Sequence, residues 1–518
     1  MINISNLPIG WAIESLNELC VLNPKHDKNL SDDLDVSFVP MAAVDEKTGT
    51  ISLDVECRKL GKVRKGYTHF ADGDVIFAKI TPCMENGKSA VVENLCNGLA
   101  CGSTEFYTLR SKGAISPQYL HPFLRQNSYI NNASMNMTGV VGQRRVPKDF
   151  ILSSQIPLPP LNEQKRIVAK IEALQTRSTA AKEELEAIKP LLDQFRQSVL
   201  ASAFCGDLTK NWRSQNPDVE PAEVLLERIR VERRRRWEEA ELEKMKAKGK
   251  VPKDDKWKKK YKEPKPIDVK PDYLLDLPDE WLWLSADECS HLITDGEHAT
   301  PKRSDSGVYL LSARNILNGM ISYEKVDFVP EDVYKKLEQR LKLEAGDVLM
   351  SCSGTVGRSC VAPPDLRCAF VRSVAILKTV FETGEYISLA IRSPILQTQI
   401  EKKKTQTAQS NIFQGRIKIL AIPFAPLEEQ KEIVRRIESL FKLADSIQNQ
   451  QSKIQNQIET LNQSILAKAF RGELVPQDPN DEPASVLLEK IKADREKAKP
   501  KKKRSNKKQS KQLDIPGI

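Results

Sequence analysis

The chain is written twice. PPLNEQKRIVAKIEAL at 159–174 returns as APLEEQKEIVRRIESL at 425–440, and QSVLASAFCGDL at 197–208 returns as QSILAKAFRGEL at 463–474, both after 266 residues. EPAEVLLERI at 220–229 returns as EPASVLLEKI at 482–491, after 262 residues. Shifts that agree to within four residues mark a duplication of about half the 518-residue chain, too long a period for a solenoid. Whatever the first half folds into, the second must fold into something similar.

Between the anchor motifs each copy carries a long helix signal. Leu185, Ile188, Leu192, Phe195 and Val199 follow at spacings of three and four, and the shifted positions are Gln451, Ile454, Ile458, Leu461 and Ile465. This is an a/d seam on an otherwise polar helix. Pro160 and Pro426 open the helices, Glu163 and Glu429 suit the first turn, and Gly206 and Gly472 end them. Each helix then runs about 43 residues, roughly 65 Å at about 1.5 Å per residue. Pro190 is a candidate kink. A narrow apolar stripe needs a partner, and each copy offers the other a matching one. Parallel and antiparallel pairing are both sterically open, and the duplication favours the antiparallel form.

The segments before the helices carry short β-type runs: VSFVPMAAV, GDVIFAKI and TEFYTLR in the first, GVYLLSARNI, GDVLMSCSG and RSVAILKTV in the second. LPIGW at 7–11 answers LPDEW at 277–281, and GDVIF at 73–77 answers GDVLM at 346–350. The expected fold is α+β, with two mixed α/β domains joined by two long antiparallel coiled-coil helices in a pseudo-twofold internal repeat. The boundaries are a first head over 1–158, a spacer helix and its following region over 159–230, and a charged helix with a Lys/Pro linker over 231–271. A second head over 272–424, a second spacer region over 425–492 and a basic disordered tail over 493–518 complete the chain.

Composition narrows the class. Net charge is +10, but residues 228–262 carry +9 and 490–512 carry +10, leaving −9 for the rest. Any nucleic-acid surface on the heads is therefore a local patch. Most lysines of the linker and tail read as solvated and flexible. The ten cysteines include no CxxC pair, so buried free thiols are expected. Five histidines (His26, His69, His121, His291, His298) show no metal spacing, and no metal site is expected. No run approaches the roughly 18 apolar residues of a membrane helix, and no secretory signal is seen, so the expected location is cytoplasmic with no membrane partner. Phosphate loops, GxGxxG, HExxH, GxSxG and the [ND]PP[YF] loop of adenine methyltransferases are all missing from the sequence. The chain reads as a binder, with no catalytic residues.

The candidate binding residues lie in loops after the β-type runs. AKITPCMENGK (78–88) holds Lys79, Thr81, Asn86 and Lys88, and GQRRVPKD (142–149) holds Gln143, Arg144 and Arg145. In the second head Arg314 lies in GVYLLSARNI, CSGTVGR (352–358) offers Ser353, Thr355 and Arg358, and TAQSNIFQGR (407–416) offers Gln409, Asn411 and Gln414. Arg and Lys can pair with guanine edges and Asn and Gln with adenine in the major groove, while Ser and Thr serve base or phosphate.

IPLPPLNEQKRIVAKIEAL (156–174) and IPFAPLEEQKEIVRRIESL (422–440) resemble the helix-start motifs of type I restriction–modification specificity subunits. So do the AFCGDL and AFRGEL helix ends, the PAEVLLERIR and PASVLLEKIK segments, and the GDVIFAKITPCMENGK, GSTEFYTLR and GDVLMSCSGTVGR motifs. The charged stretch around 231–265 is larger than the family pattern. The resemblance implies a bipartite double-stranded DNA site, one half read by each head, with an unread gap set by the helices. It also implies two methyltransferase and two restriction subunits as partners, which would bind S-adenosylmethionine, ATP and Mg, with no cofactor on this chain. Half-sites on one face of B-DNA recur about every 34 Å, within reach of such a spacer. A different class of protein stays open beside it: a coiled-coil scaffold that touches nucleic acid only through its basic tail.

Overall fold

The computed structural model describes residues 7–498 apart from 53, 141, 250, 251, 253, 269–273, 300 and 406–409. The tail after residue 498 and Gln409 therefore lie outside the described residues. Two compact units divide the chain, Met1–Leu185 with Lys453–Ile518, and Glu186–Ser452. Each holds one head, the first part of one long helix and the last part of the other.

In the first head β1 (Ala12–Ser15) pairs antiparallel with β10 (Gln155–Leu158), joining the head's first and last strands. One sheet runs in the order β2 (Cys20–Leu22), β9 (Phe106–Ser111), β6 (Val75–Ala78), β7 (Ser89–Val91). A second runs β4 (Cys57–Lys59), β3 (Asp35–Val39), β8 (Leu99–Gly102), β5 (Thr68–Ala71), with β3 and β8 parallel. All four residues of β6 are buried, because the sheets cover one face and helices the other. Such a doubly covered strand reads as a continuous apolar run.

The second head repeats the plan. β11 (Leu282–Ser285) pairs with β21 (Ala421–Phe424). The sheets run β12 (Leu292–Asp295), β20 (Val374–Lys378), β17 (Val348–Ser351), β18 (Ser359–Val361), and β16 (Asp327–Val329), β13 (Val308–Leu311), β19 (Cys368–Phe370). A hairpin of β14 (Ile316–Leu317) and β15 (Met320–Ile321) follows β13. β13 and β19 are parallel, as β3 and β8 are.

The long helices are Leu161–Phe204, which continues through Pro190, and Leu427–Arg471. In the first unit Arg166 pairs with Asp481 at 2.7 Å and Lys182 with Glu459 at 2.6 Å. In the second, Arg196 pairs with Asp445 at 2.8 Å and Arg436 donates to the Leu208 carbonyl at 2.7 Å. Numbers rise along one helix as they fall along the other, so the pairing is antiparallel in both units. Each helix start is locked to its head by a tryptophan of the LPxxW motif. Trp11 Nε1 donates to Glu163 at 3.0 Å and Trp281 Nε1 to Glu429 at 2.8 Å. The end of the other long helix closes the joint: Gln477 reaches Glu163, and Thr209 and Arg213 reach Glu429. Gly206 and Gly472 have φ of +86° and +76°, and a Cβ there would come within 2.5 Å of Pro278 and 2.2 Å of Pro8. The prolines of the LPxxW motifs thus pack on helix stops where no larger residue fits.

The first core runs from head to helix end, from Leu109, Tyr119 and Phe123 through Ile167 and Ile171 to Ile465, Leu466 and Phe470. The second matches it with Val199, Leu200 and Phe204 against Trp281, Leu284, Tyr386, Ile433 and Ile437.

Three expectations need correction. The seam of the first long helix is buried at Leu192 and Val199 and half-buried at Leu185, Ile188 and Phe195, but on the second helix Ile454 is 42% and Leu461 53% exposed. There the covered line is Gln448, Gln451, Gln455, Ile458, Asn462 and Ile465. That line keeps a heptad spacing, but its other positions are amides whose stems fill the groove. Arg196 donates to Gln448 Oε1 at 3.1 Å.

The cysteines are not all free. Cys57 and Cys96, 39 residues apart, form a disulfide. β3 brings them together, since Cys57 lies opposite Ser37 and the Cys96 N–H donates to Ser37 Oγ at 2.9 Å.

The charged region 231–271 is folded against the second head where it is described. The helix Ala222–Ala247 carries Arg233 into a buried pairing with Asp287, and Arg233 also donates to the carbonyl of Ser290 at 2.6 Å. Trp257 stacks on Trp237 at 5.9 Å, and Tyr261 meets Trp237 edge-on. Three aromatics spaced through a lysine-rich run make it a packed return segment.

Candidate nucleic-acid interface

In the first head the two candidate loops are one structure. The Thr81 N–H donates to the Arg144 carbonyl at 3.0 Å, the Val146 N–H to Lys79 at 2.9 Å, and Ile80 bridges Arg145. The second head joins its loops at the corresponding place: Gly354 N–H to Ser410 at 2.9 Å, Ile412 N–H to Cys352 at 3.0 Å, and Ser353 bridging Asn411. Each pair consists of the loop that follows the GDV strand and the loop that leads into the last strand. The GDV turn fixes where the first loop leaves the sheet. Asp74 is buried, accepts from Ala71 N–H at 2.8 Å and receives a two-pronged Arg110 at 2.8 Å. Asp347 is held likewise by Glu344 N–H and by Lys378 at 2.9 Å.

The side chains divide into those that hold the loops and those that face outward. In the first head Arg145 grips Glu105 through both oxygens at 2.9 and 2.8 Å, and Arg144 pairs with Glu85 at 3.3 Å. The Arg145 guanidinium keeps the Glu105 carboxyl below the usual carboxylate range. Lys88 reaches the Met41 carbonyl at 3.3 Å, and Lys79 lies over the Tyr107 ring at 5.3 Å. Thr81 Oγ1 is buried without a hydrogen-bond partner among the described residues. Asn86 and Gln143 are exposed, with Asn86 also bonded to Glu46 at 3.1 Å.

In the second head Ser351 organises the 352–358 loop: its hydroxyl accepts the Arg358 N–H at 3.0 Å and donates to the Thr355 carbonyl at 2.6 Å. That leaves Thr355 exposed and Arg358 half-buried, with no ion pair for Arg358 among the described residues. Asn411 is fixed by its backbone, which accepts from Thr405 N–H at 2.8 Å. Gln414 donates to the Ile293 carbonyl and so anchors its loop. Arg314 pairs with Asp327 at 2.7 Å on a turn whose Ala313 N–H donates to Ser373 Oγ at 3.0 Å; Ser373 also accepts the Cys352 N–H at 2.8 Å. Arg314 therefore stands at the same corner as the joined loops. Two residues went unread in the sequence. Arg303 shares Asp327 with Arg314 at 3.6 Å, and Phe413 is 63% exposed beside Gln414. The PKR run at 301–303 and the aromatic inside TAQSNIFQGR were the signals available.

Repeated heads, each with a two-loop corner rich in amide, hydroxyl and guanidinium groups, are matched by a family model for the type I restriction modification DNA specificity domain, over residues 8–189 and 302–460. The chain belongs to the type I restriction–modification DNA specificity family.

This specificity-family chain is 25% identical over 486 residues to the type I restriction enzyme EcoAI specificity subunit of Escherichia coli, covering 85% of this chain and 79% of that one. It is 27% identical over 511 residues to the EcoEI specificity subunit of Escherichia coli, covering 87% and 81%. A crystal structure of the HsdS subunit from Thermoanaerobacter tengcongensis aligns with TM-score 0.54 at 21% identity, over 90% of this chain and 98% of its own. A chain from a structure of the type I R-M system, on complex assembly and conformational transition, aligns with TM-score 0.61 at 21% identity, over 90% and 99%. The structural likeness concerns the fold, two mixed α/β heads with two long helices. The packed charged region that follows the first long helix lies between the two family matches. Among the described residues no helix is long and apolar enough to cross a membrane.

Proposed function

We propose that this chain is a non-catalytic DNA reader that binds a bipartite double-stranded target, one half-site per head, with the unread gap set by the paired helices. It directs two methyltransferase and two restriction subunits, which methylate adenine or cleave in the cytoplasm. Those subunits carry S-adenosylmethionine, ATP and Mg. The observation that supports this reading best is the joining of two distant loops, by backbone hydrogen bonds, at the same corner of both heads. A rigid loop pair can hold amide, hydroxyl and guanidinium groups at fixed spacing against base edges.

Within that reading, Asn86 and Gln143 in one head, and Ser353, Thr355, Arg358 and Asn411 in the other, are the base-reading candidates. Thr81, Lys79, Lys88, Arg144, Arg145, Arg314 and Gln414 shape the loops, and the arginines exchange a carboxylate for a phosphate on binding. Leu443 and Ile447 in one unit, and Ile454 and Leu461 in the other, leave apolar faces of the second long helix for the methyltransferase subunits.

The test is a matched heptad inserted into both long helices, produced with the partner subunits and followed by mapping of methylated adenines in the host genome. The expected result is a longer gap between unchanged half-sites. Altered half-site bases would overturn the spacer reading.

A further inference from the structure

His26, His69 and Cys101 share no sequence motif, yet their donor atoms all lie within 4.8 Å of one another. The expectation of no metal ligand set rested on spacing along the chain, and strand register brings together residues that such spacing does not link. β5 runs antiparallel to β8 with His69 opposite Cys101. The turn after β2 lays His26 across them, its ring stacked on that of His69 with centroids 4.6 Å apart. All three residues are buried.

The hydrogen bonds decide which ring nitrogens are free to bind. His26 Nε2 lies 2.8 Å from the Ala100 carbonyl, and His69 Nε2 lies 2.8 Å from the Arg64 carbonyl. A carbonyl has no proton to give, so both Nε2 atoms carry hydrogen and both Nδ1 atoms present lone pairs. This is how metal-binding histidines are held: one nitrogen donates to a backbone oxygen and the other faces the ion. Burial lowers the pKa of both rings, so both are neutral at pH 7, and burial pushes the Cys101 thiol up to about 11.

We propose that His26 Nδ1, His69 Nδ1 and the Cys101 sulfur bind a borderline-soft divalent cation of the Zn²⁺ class, which ties the turn after β2 to the second sheet. On binding, Cys101 loses its proton to solvent and the thiolate takes the ion. Two imidazoles and a thiolate select such a cation over Mg²⁺ or Ca²⁺. A packing role alone accounts for Cys101, which adjoins Val36, Leu60 and Val63. It does not account for a ligand atom from each of the three residues converging within 4.8 Å. The one bond a cation displaces, His26 N–H to His69 Nδ1, is the longest of the three at 3.2 Å.

The test uses the full chain, stripped with a chelator, then titrated with Zn²⁺ and separately loaded with Co²⁺. One Zn²⁺ per chain, a raised unfolding temperature and a sulfur-to-cobalt charge-transfer band are expected. Cys101→Ser abolishes the band and weakens Zn²⁺ binding by at least about tenfold. His26→Gln, on a turn rather than in the sheet, keeps the band but weakens binding, and serves alone if the cysteine variant does not fold. Cys205→Ser changes nothing. A wild-type chain without the band, or His26→Gln with undiminished affinity, overturns the proposal.

Discussion

Asp74 and Asp347 hold the same position in the two heads, but their cations differ in surroundings. The Arg110 side chain is 39% exposed, whereas that of Lys378 is 7% exposed. Burial pushes the Asp347 carboxyl up in spite of Lys378 and the Glu344 N–H. Removing Asp347 leaves the buried Lys378, among the described residues, with only the more distant Glu344 at 3.9 Å, which costs about 3 kcal/mol, while a cation that can rehydrate loses about 1–2 kcal/mol. Asp347→Ala is therefore expected to lower the urea midpoint markedly and Asp74→Ala modestly. Equal losses would mean that the turn geometry, and not the stranded charge, sets the cost. At this scale the sequence was readable for residue type but not for role. Gln414 and Lys88 are the kind of residue that reads bases, yet the Gln414 amide and the Lys88 ammonium each donate to a backbone carbonyl, of Ile293 and Met41. Only the folded loop says which polar atoms remain free.

The long helices show how far periodicity goes. Proline, glutamate and glycine signals located both ends, because caps are local chemistry. Copying the seam from one helix to the other by a fixed shift misplaced two positions, because a helix buries whatever face its neighbour leaves it. Ile465→Ala, at a buried site, is expected to cost about 2–4 kcal/mol. Ile454→Ser with Leu461→Ser changes exposed positions and is expected to stay within about 0.5 kcal/mol each. Chemical denaturation of the isolated chain checks both. A double serine variant as unstable as Ile465→Ala would mean the seam is the one inferred from the repeat. The charged segment after the first helix misled for a related reason: lysine density suggests a solvated linker, but Trp237, Trp257 and Tyr261 supply apolar area that the charges conceal.

Across the whole molecule, both units hold half-buried histidines. His121 in one and His291 in the other are lowered from 6.5 to about 4, first by burial and then by nearby cations, Arg125 for His121 and Arg236 with Lys378 for His291. Between those values the unfolded chain binds more protons than the folded one. Their contribution is complete above pH 6.5 and is lost as pH falls toward 4. The thermal midpoint should fall across that window, and His121→Gln should flatten the fall; an unaltered profile in the variant would assign the loss to other groups. The duplication implied two like units from sequence alone. It did not say that each unit would combine a head with the start of one long helix and the end of the other.

Sequence by itself determined the repeat, the long helices with their ends, the β-rich heads and the family, since each is written in local spacing or in a motif. Tertiary structure decided which loops meet, which face of the second helix is covered, the Cys57–Cys96 bond and the gathering of His26, His69 and Cys101. Those depend on strand register and helix partner, where residues far apart in sequence become neighbours through hydrogen-bonded pairing that no local pattern specifies.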